Sequence, residues 1–480
     1  MNRRMIFYTV GRIITLEAGL LLLPMAVALW YGESCAWDLL ASAAIALVVG
    51  LAMTRLSKPT SQTFFAREGF VIVALAWVFM SLIGMLPYLF SGEIPFWVDA
   101  FFETVSGFTT TGASILTNVE AMSHGLLFWR SFTHWIGGMG VLVLIMAIVP
   151  TETGRSIHIM RAEMPGPIVG KLMPRIKDTA QILYLMYVVL TVVQIVLLMA
   201  GGMPPFESVT HAMATAGTGG FSVKADCFAS YSPYLQWVTA IFMTLFGVNF
   251  NVYYLALRKK FKEILRSAEL WTYLGIILVA IVLVSISIST EYDTLEEIVR
   301  QSAFQVTSII TTTGYSSANF DLWPELAKNI LLILMFLGAC AGSTAGGLKI
   351  SRAILLVKMA RRELKRMIHP RSVGTVQFEG KRVSDATLNS VCMYFVLYVI
   401  IQVALTLFLC INPFSIETNL AAAASCFNNS GPGFGIVGPA SNYSYYNAIS
   451  KFVLAISMLF GRLEIYPMLL ALSPSTWTKE

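Results

Sequence analysis

The chain has 480 residues, of which 56% are hydrophobic and only 12% charged, and its mean hydropathy is +0.70. Soluble domains carry about 25% charged residues, so a water-facing enzyme of this size is excluded. So are a disordered chain and, with 6 scattered cysteines and no CxxC pair, a disulfide scaffold.

Ten stretches are apolar enough to span a bilayer, near 12–31, 37–56, 69–90, 124–150, 179–201, 233–257, 269–289, 326–348, 387–411 and 446–472. One crossing needs about 20 residues. The first stretch is too long for a signal-peptide core and has no A-x-A-like site after it, so it counts as a helix. The expected class is an all-α polytopic membrane protein. Most of the 33 Lys and Arg fall in five segments: Arg3 to Arg12, Arg55 to Arg67, Arg155 to Lys177, Arg258 to Arg266, and Lys349 to Arg382. These occupy every second loop. Cytoplasmic loops concentrate Lys and Arg, so both termini are expected in the cytoplasm, which agrees with an even number of spans.

The alternate loops carry a second pattern. Between the two helices of each successive pair lies a stretch too short to span and too apolar for an ordinary loop. Each opens with a helix-like run and ends in small polar residues and glycine. The four ends are Thr109-Thr110-Thr111-Gly112, Ala216-Gly217-Thr218-Gly219-Gly220, Thr311-Thr312-Thr313-Gly314 and Asn428-Asn429-Ser430-Gly431. A period of about 100 residues is a repeat architecture. Non-helical backbone at membrane depth persists only where it is buried in protein or lines a watery path. Four such loops most simply meet at one axis, giving four helix–re-entrant loop–helix repeats around a pseudo-fourfold pore. The expected units are an N-terminal helix pair at 1–67 and repeats at 68–177, 178–267, 268–383 and 384–480.

Glycine lets backbone approach a ligand closely, and a ring of carbonyl oxygens can replace the water around a cation. No carboxylate lies inside the four loops, which disfavours Ca²⁺ or Mg²⁺ and suits a large monovalent ion. The candidate ligands are Thr110, Thr111, Gly112, Thr218, Gly219, Gly220, Thr312, Thr313, Gly314, Asn429, Ser430 and Gly431. In the second loop Gly219 is the expected counterpart of Gly112, with Gly217 as the alternative register.

Two further features stand out. The eighth span holds Gly338, Gly342, Gly346 and Gly347 within ten residues. Each glycine costs about 1 kcal/mol in a helix interior, so the helix should break into a flexible loop below the four-loop ring, a packing kink being the alternative. Glycines 342 and 347 have phosphate-loop spacing, but Leu348 stands where Lys belongs, so no nucleotide site is expected there. The last span holds Arg462, about 16 residues in. A charge at that depth is expensive and usually functional; a snorkelling Arg, or one paired with Glu464, is the alternative. The five histidines have no metal-ligand spacing, and His211 is expected to pack behind its loop. The basic run from Lys358 to Arg371 suits anionic lipid or a docked partner.

The motifs FETVSGFTTTGAS (102–114), ATAGTGGFS (214–222), TSIITTTGYS (307–316) and SCFNNSGPGFG (425–435) resemble those of the Trk/Ktr superfamily of potassium-transporting membrane subunits. The first two helices resemble the extra N-terminal pair of the bacterial Trk type. That resemblance implies K⁺ uptake across the bacterial cytoplasmic (inner) membrane and a homodimer with one pore per protomer. It also implies a cytosolic nucleotide-binding regulatory ring subunit. It places an intramembrane gating loop at the glycine-rich break and an arginine, here Arg462, in the permeation path. K⁺ is the expected transported ion and membrane lipid the surroundings. No organic cofactor, nucleic-acid partner or enzymatic activity is expected. Only loops one and three read TTTG, which implies weaker discrimination among K⁺, Rb⁺ and Na⁺. A symporter coupling K⁺ to Na⁺ or H⁺ is the alternative, with Glu17 and Glu464 as the nearest mid-span carboxylates.

Overall fold

The computed structural model describes residues 2–58, 66–140, 176–371 and 374–478. The end of the expected span 124–150 and the basic residues Arg155, Arg161, Lys171 and Arg175 lie outside the described residues, as does His158. Among the described residues the regular structure is helical apart from one hairpin of two-residue strands, Gln377–Phe378 paired with Lys381–Arg382.

Arg3–Leu20 and Cys35–Leu56 form an N-terminal pair. They cross at Gly11 and Gly50, where a Cβ on either would strike the other helix's backbone, the small-residue contact expected between membrane helices. Four repeats follow. Repeat one runs through Ala66–Gly84, the short helix Trp97–Phe108 and His124–Gly138. Repeat two has Ile176–Ala200, Pro205–Gly217, then Pro233–Phe246 and Phe250–Leu257. Repeat three has Ala268–Ser287, Leu295–Ile310, Glu325–Leu337 and Ile350–Ile368. Repeat four has Asp385–Leu409, Ile416–Asn428, Ala448–Arg462 and Tyr466–Leu472. Polar caps start several of these helices: Ser232, Thr294, Ser384, Ser415 and Asn447 each accept from an amide three residues on, satisfying a donor the helix cannot.

The helix that opens each of repeats two to four is apolar all round. Leu185 and Val189, Leu278 and Val282, and Val399 and Val403 stand exposed on them, as expected of lipid-facing spans. The helix that closes each of these repeats is interrupted. Among the described residues six helices are long and apolar enough to cross a membrane alone, and seven crossings result if Pro233–Phe246 and Phe250–Leu257, bent by 89°, count as one. The stretches 326–348 and 446–472, expected to span, are likewise each broken, after Leu337 and after Arg462. The sequence between the halves explains the breaks: Gly247 to Asn249, the glycines of 338–347, and Glu464-Ile465 before Pro467. Glu464 and Ile465 both take positive φ, 56° and 66°, a costly conformation for a β-branched residue.

Both ends of the chain lie on one face, where Arg3 Nη2 donates to Trp477 O at 2.8 Å.

Candidate functional site

Each short helix ends where its polar run begins: Phe108 before Thr109, Gly217 before Thr218, Ile310 before Thr311 and Asn428 before Asn429. Four helix C-termini, each carrying about half a negative charge, thus precede four loops. The loops share one backbone. Thr110, Thr218, Thr312 and Asn429 have φ between 54° and 57°, and two residues later Gly112, Gly220, Gly314 and Gly431 have φ between 75° and 90°. The counterpart of Gly112 in loop two is therefore Gly220. Gly219, expected there, takes the place of Thr111, and Gly217 ends the helix. Three glycines within the four residues 217–220 hid that register in the sequence.

The loops close a ring. A Cβ on Gly112 would strike the carbonyl oxygen of Gly219, one on Gly220 that of Thr313, and one on Gly314 that of Ser430. The circuit is completed by Gly431, whose Cβ would stand 2.7 Å from the carbonyl oxygen of Thr111. Each loop leans on the next, and glycine is required at the contact both for its positive φ and for its missing side chain. All twelve candidate ligands fall in these four loops. The four abutting carbonyls, those of Thr111, Gly219, Thr313 and Ser430, occupy equivalent positions in the four loops, a neutral donor set suited to a dehydrated monovalent cation.

One layer in, the symmetry is broken. Thr110 Oγ1 and Asn429 Oδ1 are buried without a hydrogen-bond partner among the described residues. Asn429 Nδ2 donates to Thr111 Oγ1 at 2.9 Å, whereas Thr218 Oγ1 donates to Gly217 O at 2.6 Å. Behind loop two, His211 bonds Ser222 Oγ at 3.1 Å, packing as expected. His134 lies stacked on Phe221 with centroids 4.1 Å apart, and a Cβ on Gly219 would strike its ring.

The ring separates two cavities. The outer one, of about 150 Å³, touches Gly112, Gly220, Gly314 and Gly431, with Arg130 and Lys224 at its wall. The inner one, of about 40 Å³, is lined by Gly138, Gly346, Lys349, Arg462 and Glu464 among others. The break after Leu337 lines the inner cavity through Gly342, Ser343, Ala345, Gly346 and Gly347. It is no loose loop in this conformation. Cys340 N donates to Gly247 O at 3.2 Å, Phe250 N to Gly342 O at 3.1 Å and Ile350 N to Ala339 O at 3.1 Å. Ala341 N donates to Glu269 Oε1 at 2.7 Å and Gly346 N to Thr312 Oγ1 at 2.7 Å.

Arg462 does not pair with Glu464. It donates to Thr344 O at 2.7 Å and Gly138 O at 2.8 Å, joining the loop to the end of His124–Gly138. Glu464 instead takes both terminal nitrogens of Arg352, Nη1 at 2.9 Å and Nη2 closer still. Sequence reading missed Arg352, the buried Lys349 that donates to Ala345 O, and Glu269. Each follows a glycine-rich or basic stretch in which nothing local marks one charge as buried. Among the described residues no cluster of three or more His, Cys, Asp or Glu could hold a metal ion.

Residues 39–479 match the TrkH family, described as a cation transport protein. The chain is 35% identical over 484 aligned residues to the Trk system potassium uptake protein TrkH of Salmonella typhimurium, covering 99% of this chain and 100% of that one. To the Trk system potassium uptake protein TrkG of Escherichia coli it is 33% identical over 480 residues, covering 99% and 98%. Its structure matches the crystal structure of the potassium transporter TrkH from Vibrio parahaemolyticus with a TM-score of 0.89 and 31% identity, over 100% of both chains.

Proposed function

We propose, since the chain belongs to the TrkH family of cation transport proteins, that it is the membrane subunit of a bacterial potassium uptake system. K⁺ enters the outer cavity, sheds water at the ring formed by residues 110–112, 218–220, 312–314 and 429–431, and leaves through the inner cavity. The observation carrying this reading is the closed circuit in which each loop's glycine abuts the next loop's carbonyl. Four fixed carbonyl dipoles in a dry ring compensate a large cation for lost hydration. The segment 338–347 and Arg462 form the gate: the segment lies across the path, and a guanidinium stays charged at any working pH.

The protein sits in the cytoplasmic membrane with both termini inside, following its alternating basic segments. It works as a homodimer with a cytosolic nucleotide-binding regulatory ring. The amphipathic helix Ile350–Ile368 supports such docking, because it is continuous with the gate segment and leaves Leu364, Met367 and Ile368 exposed beside its basic residues. K⁺ is cargo; no organic cofactor, nucleic acid or catalytic chemistry enters this reading.

Coupled symport is the second reading, favoured by one observation. Glu17 is 1% exposed, and neither of its oxygens finds a hydrogen bond among the described residues. The deciding experiment is the reversal potential of the protein in liposomes. Channel-like uptake predicts a reversal potential that follows the K⁺ gradient alone. A shift with an imposed Na⁺ or H⁺ gradient selects symport, and a current indifferent to K⁺ overturns both readings.

A further inference from the structure

We propose that Arg130, held by Glu103, is a specificity-determining positioning residue: it locks the first loop against the second and so fixes the spacing of the carbonyl ring. This rests on the reading of that ring as the potassium filter.

Glu103 lies in the short helix Trp97–Phe108 and Arg130 in His124–Gly138. Arg130 Nε donates to Glu103 Oε1 at 2.6 Å. The two side chains are 3% and 0% exposed, the most deeply buried ion pair among the described residues. The rest of the guanidinium is also engaged. Nη2 donates to Ser114 Oγ at 3.1 Å, Nη1 donates to Ser222 O at 3.1 Å, and the plane lies 3.7 Å from the Phe221 centroid. Glu103 in turn accepts from Ser114 Oγ at 3.0 Å and from Ile115 N at 3.0 Å.

Ser114 stands two residues beyond Gly112, and Ser222 two residues beyond Gly220. Arg130 therefore bridges equivalent points of adjacent loops. Between those points lies the contact where Gly112 abuts the carbonyl of Gly219. Ser114 is also fixed from the other side, by Tyr443 N donating to Ser114 O at 2.9 Å.

A buried ion pair seldom adds net stability, because the desolvation of two charges offsets their attraction. A guanidinium that spends its Nε on Glu103, its Nη2 on the hydroxyl of Ser114 in the first loop and its Nη1 on the carbonyl of Ser222 in the second gains placement instead. The fork geometry matters, since only a planar guanidinium can reach a carboxylate, a hydroxyl and a carbonyl at once. The residues that recognise the ion stay neutral, and the charge that orders them sits outside the ring.

The test uses the full-length protein in liposomes, with Rb⁺ uptake competed by Na⁺. The double variant Glu103→Gln/Arg130→Met removes both charges, so none is left stranded. Its discrimination of Rb⁺ over Na⁺ should fall by about tenfold while Rb⁺ uptake persists, because the loops keep their carbonyls but lose their fixed spacing. Arg130→Lys keeps the charge and loses the fork; its discrimination should fall as well, and parental discrimination there would mean charge, not position, matters. Parental discrimination in a folded double variant overturns the proposal. Should that variant fail to fold, Ser114→Ala decides with the ion pair intact: reduced discrimination supports the proposal and unchanged discrimination overturns it. Gly112→Ser and Gly314→Ser run alongside. If they too leave discrimination unchanged, the filter reading fails; if they lower it while the Arg130 variants do not, only this inference fails.

Discussion

The backbone amide of Gly346 donates to the side-chain hydroxyl of Thr312 at 2.7 Å. One residue belongs to the segment that interrupts the closing helix of repeat three, the other to the four-loop ring. The bond joins the element proposed to block the path to the element proposed to select the ion. Below it, Arg462 holds the same segment through Thr344 O at 2.7 Å. The segment is thus fastened to the ring on one side and to the last helix on the other.

Releasing the upper fastening should favour the open path. A buried hydrogen bond contributes about 1 kcal/mol, and stranding its donor costs about 1–3 kcal/mol. Thr312→Val removes the acceptor at nearly constant volume, so basal Rb⁺ flux in liposomes should rise about fivefold to tenfold on that energy. Thr312→Ser keeps the hydroxyl and should behave as the parent. Equal flux in all three proteins would show that this contact does not restrain the segment.

The glycine register makes a separate prediction. Gly220→Ser should lower K⁺ over Na⁺ selectivity as strongly as Gly112→Ser or Gly314→Ser. All three positions have positive φ and a neighbouring carbonyl where the Cβ would go. Rb⁺ uptake competed by Na⁺ measures this, with membrane insertion monitored as the control. A Gly220→Ser protein of parental selectivity would refute the alignment of Gly220 with Gly112.

Arg462→Ala should speed uptake per folded protomer. A fixed positive charge about 6 Å from a passing cation costs about 3 kcal/mol at an effective dielectric near 20, up to about a hundredfold in rate. Water in the cavity reduces that figure. Arg462→Lys keeps the charge but cannot reach Thr344 O and Gly138 O together, so its uptake should lie between parent and Ala. Folding should survive in both, because Glu464 is paired with Arg352. Arg352→Ala, by contrast, strands that carboxylate and should cost about 3 kcal/mol of stability, visible as lost yield of folded protein. Slower uptake in well-folded Arg462→Ala would defeat the barrier reading.

Glu33, in the loop between Leu22–Tyr31 and Cys35–Leu56, caps a helix it does not belong to. It accepts from His124 N at 2.7 Å and Gly125 N at 2.9 Å, at the start of His124–Gly138. Burial raises its pKa, but those amides and the His124 ring outweigh burial and hold the carboxyl below its usual value. A lowered folded-state pKa means the stabilisation is complete above the unfolded value, about 4.3. It is lost as pH falls through the folded one. Thermal stability in detergent should therefore decline below about pH 4. Glu33→Ala should lose about 1 kcal/mol at neutral pH and show a flatter acid decline. An identical acid profile in parent and variant would remove Glu33 from the account.

The sequence by itself determined the membrane class, the four repeats and the break at 338–347. Each is written in a local signal: apolar length, a polar Thr/Gly run recurring about every 100 residues, and glycines clustered inside an apolar stretch. It also marked Arg462, since a charge deep in an apolar run is conspicuous. Only the tertiary structure decided which glycine of loop two faces its neighbour, because backbone handedness at Thr218 and Gly220 depends on the loop against which they pack. Only it decided that Glu464 belongs to Arg352, 112 positions away, and not to Arg462 two residues before it. The reason is geometric. Positive φ at Glu464 turns the chain between the two side chains, so neighbours in sequence point to different partners. The brace of Glu103 and Arg130 was hidden for the same cause, since two charges 27 positions apart carry no mark of burial until the helices that bear them are folded together.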